Sequence, residues 1–371
     1  MLGTSIATMI PEISNDTNIS GCSNRLDFLI KDPFDIEMKH LDQILIYPIV
    51  VIFLFSILGL GTNILNIIVF LRMGLQETTT ISMLALAVSD FFCCLLSLWT
   101  YLCFLPAFRD SANLPFRPIE VSLETGSSFR PYLTRTGALI TAYISLERCL
   151  CVMIPMKVKN IITISVTRIS IIIIYAITLL PYIAHQFQIT LGWKFYPHLN
   201  KTLLGAVQLE NPIATAFIQV NSYLCGFVYL FLADIIILVC TIFLVITLIR
   251  NSKWRDSITN QVRTPSDTPG DKKPGGTQKE NRLIKMVVII ALLFTVCHTP
   301  GMAVIYFTAT VPDVAQEWRY KPLYVLLNCI LFAFEAVNNS LNFFIYYLMA
   351  TKFRHVFHEL ICLKQNQQQQ Q

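Results

Sequence analysis

Charge is what this 371-residue chain has least of: 14% of its residues are Asp, Glu, Lys or Arg, while 54% are hydrophobic. Soluble domains carry nearer ~25% charged residues, so an ordinary water-soluble globule is excluded. Polar stretches long enough to house a separate soluble domain are also missing; the longest are residues 1–43 and 250–282. No basic region followed by an apolar run opens the sequence, so a cleaved signal peptide is not expected. Zinc-ligand spacing is absent. Of the 11 cysteines, Cys93, Cys94, Cys225, Cys240, Cys297 and Cys329 lie within apolar runs, where they act as small hydrophobes rather than as a disulfide framework. No internal repeat or matched pair of Gly/Pro-broken segments points to a transporter. No Ser/His dyad or paired aspartates point to an intramembrane enzyme, and no nucleic-acid partner is expected.

What the chain has instead is apolar length. A helix rising 1.5 Å per residue needs roughly 20 apolar residues to cross ~30 Å of hydrocarbon. Seven segments reach that length, at about 44–71, 80–103, 121–147, 165–187, 213–249, 283–308 and 322–349. The expected fold is an all-α membrane protein: a seven-helix bundle over 44–349, preceded by a polar tail over 1–43. Phe353, Val356, Phe357, Leu360 and Ile361 recur at helical spacing opposite Lys352, Arg354 and His355. That pattern predicts a short amphipathic eighth helix over 350–362 lying on lipid, with Cys362 at its end as a palmitoylation candidate. The glutamine-rich residues 363–371 are expected to form a disordered tail. Pooled over alternate connecting segments, bases outnumber acids in one set and acids outnumber bases in the other, which puts the N-terminus outside and the C-terminus in the cytoplasm. The glycosylation sequons at Asn15, Asn18 and Asn200 fall on that outer side.

A polar residue inside an apolar span is expensive and marks a function or a partner. Asn63, beside Gly59 and Gly61, needs a hydrogen-bond partner within the bundle, and Asp90 sits mid-membrane in the second segment. Arg130 and Arg148 are 18 residues apart, five helical turns, so they share a face at opposite depths, ~27 Å from each other. Arg130 either faces an outer cavity or snorkels to the surface. Arg135 is rotated roughly 140° from it, so its facing stays open, as does that of Asp234. Phe294, His298 and Pro300 mark a hinge, because a mid-helix proline removes a backbone hydrogen bond. Glu280 lies level with Arg148 and either pairs with it or is solvated. Glu335, Asn338, Asn342 and Tyr346 fall on one stripe of the last segment, an inward polar seam. Pro265, Pro269, Gly270, Pro274, Gly275 and Gly276 exclude regular helix from the inner linker over 250–282.

The ordered set Asn63, Asp90, Glu147-Arg148 with Pro155, Phe294 to Pro300, Asn342 to Tyr346, and Phe353 resembles the rhodopsin-like (class A) G-protein-coupled receptors over nearly all of 44–362. The resemblance implies a plasma-membrane receptor that binds an extracellular ligand and activates a heterotrimeric G protein. It implies that Glu147 and Glu280 restrain Arg148 at rest, and that Pro155, Met156, Asn342 and Tyr346 serve coupling and activation. It further implies a polar hub of Asn63, Asp90, Asn338 and Asn342, often holding sodium at Asp90, and a hinge in which His298 replaces the family's usual tryptophan. Phe343 follows Asn342 where the family usually has proline, and in this the chain is similar to invertebrate peptide receptors of the FMRFamide-receptor kind and to molluscan chemosensory receptors.

The family's outer disulfide lacks both of its positions here, with Leu123 at one and no cysteine in 186–212, so the outer loop is expected to be less tethered. Cys22 and Cys103 are the substitute pair. Amine receptors carry an aspartate where this chain has Arg130, and with no lysine in 322–349 a retinal Schiff base has no anchor. The expected ligand site comprises Trp99, Tyr101, Arg130, Arg135, His298, Tyr306, Phe332 and Glu335. Arg130 either takes an anionic or carbonyl-rich ligand, a short neuropeptide first, or pairs with Glu335. The alternative on the same fold is a chemosensory receptor for small environmental molecules.

Overall fold

The computed structural model describes residues 38–109, 111, 113–187, 189–209, 228–261, 276–311 and 320–368. Its long helices are α1 (Met38–Met73), α2 (Thr78–Phe104), α3 (Arg130–Met153), α4 (Ile164–Gln186), α5 (Leu230–Gln261), α6 (Gly276–Thr310), α7 (Lys321–Met349) and α8 (Thr351–Gln368). Six helical stretches are long and apolar enough to cross a membrane: Gln43–Met73, Thr78–Phe104, Pro118–Met153, Leu230–Arg250, Arg282–Thr308 and Pro322–Met349. Within α4, which spans 23 residues, the described side chains give an apolar stretch over Ile164–Leu179.

The helices turn an unusual face outward. Leucines and isoleucines of α1, α4 and α5 are exposed, while Asn63, Asp90, Thr141 and Asn342 are buried. That inversion suits a hydrocarbon surround, where polar groups must find their partners inside the bundle. α3 runs through the middle, touching α2, α4, α5 and α6, while α1 packs on α2 and α7. A Cβ at Gly59 would collide with the Cys94 side chain, so glycine is what lets α1 and α2 approach closely there. One end of the bundle, bearing Arg148, is filled by Phe70, Met83, Ile144, Leu244, Tyr346 and Phe353.

The opposite end departs from an all-α reading. Strands β1 (Ile189–Tyr196) and β2 (Lys201–Gln208) form an antiparallel hairpin with Ile189 opposite Gln208 and Tyr196 opposite Lys201. Asn200 closes its turn in the left-handed region, at φ 48°, which asparagine tolerates better than most residues. Sequence periodicity predicted only a loop here, since eight-residue strands carry a weaker signal than membrane helices.

The polar linker is shorter than its composition suggested: α5 continues to Gln261 and α6 begins at Gly276. Pro265, Pro269 and Pro274 lie outside the described residues. α8 runs on to Gln368, through the first of the terminal glutamines, which are good helix formers.

Candidate functional site

At the hairpin end, a cavity of about 120 Å³ opens between α3, α4, α6, α7 and the hairpin. Arg130, Arg135, Phe332 and Glu335 all line it. Arg130 is 4% exposed and ion-paired with Glu335; its Nη1 donates to Ser97 Oγ at 3.2 Å, and its guanidinium lies 3.7 Å over the Phe332 ring. Arg130 thus faces the cavity rather than snorkelling, and within it the guanidinium pairs with Glu335. Arg135 stands 5.4 Å over the Tyr132 ring and reaches the same cavity despite its rotation around α3.

Four residues expected at this site lie elsewhere. Trp99 donates from Nε1 to Thr125 Oγ1 at 2.9 Å, outside the cavity lining. Tyr101 is buried against Leu45, Ile52 and Cys329 on the α1 side. Tyr306 is 64% exposed on the outer surface of α6. His298 is stacked on Phe294, with centroids 4.0 Å apart and 20° between planes, and lines a separate, deeper cavity. Aromatic residues near a predicted depth give no information on helix rotation, and rotation excludes these.

Two acids missed by sequence reasoning are built into this end. The chain enters α3 through a short helix Pro118–Ser122 and a π-helical turn Leu123–Ser127, where Ser128 N donates to Leu123 O at 2.8 Å. π-turns recur at functional sites. Glu120, buried in the short helix, accepts hydrogen bonds from the Tyr196 hydroxyl at 2.6 Å and from Ala206 N at 3.0 Å, and lies 3.9 Å from Arg117. Burial, reinforced by this bond, pushes the Tyr196 hydroxyl well above the usual phenol range, so it stays a donor. Arg117 N donates to Leu204 O at 2.8 Å, and Leu204 N to Pro115 O at 3.0 Å. A Cβ at Gly205 would strike both the Tyr196 hydroxyl and the Glu120 carboxylate. The hairpin is therefore tied to the start of α3 without a disulfide, which corrects the expectation of a loosely held loop. Glu124 is the second acid, and His185 on α4 joins it at the cavity wall. Their only sequence signal was polar residues at the ends of apolar runs.

Mid-bundle, Asn342 Nδ2 donates to Asp90 Oδ2 at 2.8 Å. Asn63 Nδ2 donates to Asn339 O at 2.7 Å and Gly59 O at 2.9 Å, and Asn338 Nδ2 reaches Asn339 Oδ1 at 3.4 Å. The residues expected as a hub thus cross-link α1, α2 and α7. Asp90, Asn338, Asn342, Phe294 and His298 line the deeper cavity, whose free space of about 10 Å³ fits one water-sized sphere.

At the far end of α3, Glu147 Oε1 accepts from Arg148 Nη2 at 2.5 Å, from Thr78 Oγ1 at 2.5 Å and from Thr79 Oγ1 at 3.3 Å. Arg148 also donates to Thr79 Oγ1. The Glu280 side chain lies outside the described residues, as do Asn15, Asn18 and Cys22. Cys103 is a free, buried thiol. Pro155 opens a short helix, Pro155–Ile161, on which Met156 is 89% exposed. Tyr346 is buried against Phe70 and Phe353, its hydroxyl without a hydrogen-bond partner among the described residues. Asn200 and Cys362 are exposed.

Long apolar helices with inward polar groups define a multi-pass membrane protein. A model of the serpentine type 7TM GPCR chemoreceptor Srw family matches residues 50–364, and the chain belongs to that family of G-protein-coupled receptors rather than to any enzyme class. It is similar to a probable G-protein coupled receptor of Caenorhabditis elegans, 22% identical over 318 residues, covering 81% of this chain and 66% of that protein. It is also similar to the adenosine receptor A2a of Equus caballus, 23% identical over 339 residues, covering 85% of this chain and 72% of that one.

Proposed function

We propose that this protein is a plasma-membrane receptor with α4 as its seventh span, the N-terminus and hairpin outside, and α8 lying on the inner leaflet. An extracellular ligand seats in the cavity under the hairpin and biases a two-state bundle that activates a heterotrimeric G protein. The observation that carries this reading is the clamped Arg148, held by Glu147 and Thr79 at one end of the helix that lines the cavity at the other. Release of that clamp opens the coupling face, where Met156 on the Pro155 helix and Tyr346 engage the partner, with Glu280 as a further restraint. Phe294, His298 and Pro300 form the hinge between the two ends.

The ligand is a short peptide, as the resemblance to FMRFamide-type receptors implies. The family match supports the second reading, a chemosensory receptor for small environmental molecules. An anionic or carbonyl group of the ligand meets the arginines of the cavity wall, Arg130 and Arg135. Asp90, Asn338 and Asn342 present oxygen donors around a one-atom space, which fits a sodium ion that would stiffen the hub when bound. Asn200 at the hairpin tip accepts a glycan, and Cys362 a palmitoyl chain.

Arg148→Ala should abolish ligand-driven G-protein activation while the receptor still reaches the cell surface. Unchanged activation would overturn the reading. Endoglycosidase treatment that fails to shift the wild-type protein relative to Asn200→Gln would overturn the orientation.

A further inference from the structure

His185, on the last turn of α4, is 3% exposed, and neither ring nitrogen has a hydrogen-bond partner among the described residues. Buried polar groups left unmade are rare and call for an explanation. This one lines the cavity under the hairpin, and so does Glu124. The Glu124 carboxylate accepts from Gln186 Nε2 at 3.1 Å, while its carbonyl accepts from the Tyr182 hydroxyl at 3.4 Å. Ile189, Leu230 and Ile305 give the same cavity apolar lining.

A neutral imidazole offers one donor and one acceptor, and a carboxylate offers acceptors only. The two ring nitrogens point about 140° apart, so their partners stand roughly 7 Å from each other. A ligand that satisfies the whole corner must therefore bring N–H donors to Glu124 and the nearer nitrogen, and an acceptor to the farther one. A simple anion would leave Glu124 opposed by like charge. An amine alone would leave the imidazole N–H unmade. A peptide's α-ammonium, with the carbonyl of its second residue one extended residue further on, meets every requirement.

We propose that Glu124 and His185 form a recognition corner for the amino terminus of a short peptide. The ammonium donates to Glu124 and to one imidazole nitrogen, the other imidazole nitrogen donates to the carbonyl of the second residue, and the first side chain meets Ile189, Leu230 and Ile305. A free amino acid carries the ammonium but does not span both nitrogens. This rests on the reading that the cavity under the hairpin is the ligand site.

The test uses the full-length receptor in cells reporting G-protein activation. The probes are the proteinogenic amino acids and a set of short peptides, each beside its N-acetyl counterpart. At least one free-amine probe should activate, and acetylation should weaken it by roughly 10–100-fold, the loss expected for a charge-assisted hydrogen bond. Activation by peptides well above that by free amino acids is expected, and equal potency of the free amino acids overturns the two-point contact. Glu124→Gln should make free and acetylated forms equipotent, and His185→Phe should weaken the free form about tenfold. Equal potency of the two forms on the wild-type receptor, or no response to any free-amine probe, overturns the proposal whether or not the variants fold. Asn328→Trp fills the cavity from α7 and separates the two levels. If it abolishes the response while acetylation has no effect, only the corner assignment fails; if the response persists, the cavity reading itself fails.

Discussion

Arg130 and Arg148, at opposite ends of α3, are neutralised in opposite ways. Arg148 pairs with Glu147, its neighbour in sequence, and threonines of α2 complete the cluster. Arg130 pairs with Glu335, 205 positions away, across α3 and α7. The first pair belongs to a single helix and can loosen from α2 without losing its own partner. The second exists only while two helices stay together. One end of α3 is thus paired within its own helix, and the other is tied to a second helix.

Breaking the long-range pair should have the largest effect. Arg130→Ala leaves the Glu335 carboxylate buried without its cation, a loss of about 3–5 kcal/mol, and Arg130→Met with Glu335→Leu should restore most of it. Thermal unfolding of the purified protein in detergent measures both, and equal melting of the single and double variants would remove the contrast. The short-range pair should respond in signalling rather than in stability. Glu147→Gln weakens charge-assisted bonds worth about 1.5–3 kcal/mol and should raise ligand-free G-protein activation by roughly tenfold, with melting little changed. A fall in basal activation would sink the proposed clamp.

Smaller effects sharpen the same comparison. Glu120→Ala removes the oxygen that accepts two hydrogen bonds from the hairpin, about 1–3 kcal/mol felt locally, and should speed hydrogen exchange at Ala206 without altering basal signalling. The smallest change in stability is expected for Tyr346→Phe, within about 0.5 kcal/mol, since that hydroxyl makes no hydrogen bond to lose. Activation by ligand should nevertheless fall if Tyr346 rotates towards the coupling face.

Much of the helical framework was legible in the sequence because apolar length and the positions of proline are local properties. The polar stripe of α7 was legible for the same reason: Asn338 and Asn342 face the bundle because a period of 3.6 fixes them to one side. Legibility ended where a second element was needed. Trp99, Tyr101 and Tyr306 sit at depths compatible with a ligand site but on faces turned elsewhere. Glu120, Glu124 and His185 looked like unremarkable polar ends of apolar runs until the hairpin folded over them.

The sequence by itself determined that most of this chain is helix meant for lipid, that Arg148 has an acid beside it, and that Asn63, Asp90 and Asn342 need internal partners. Those follow from hydropathy, spacing and the cost of unpaired polar groups in hydrocarbon. Only the tertiary structure decided that Arg130 meets Glu335, that hydrogen bonds to Glu120 hold the hairpin where a disulfide is missing, and that His185 faces a cavity. Each depends on the relative rotation of packed helices, which is fixed by side chains from distant parts of the chain fitting together.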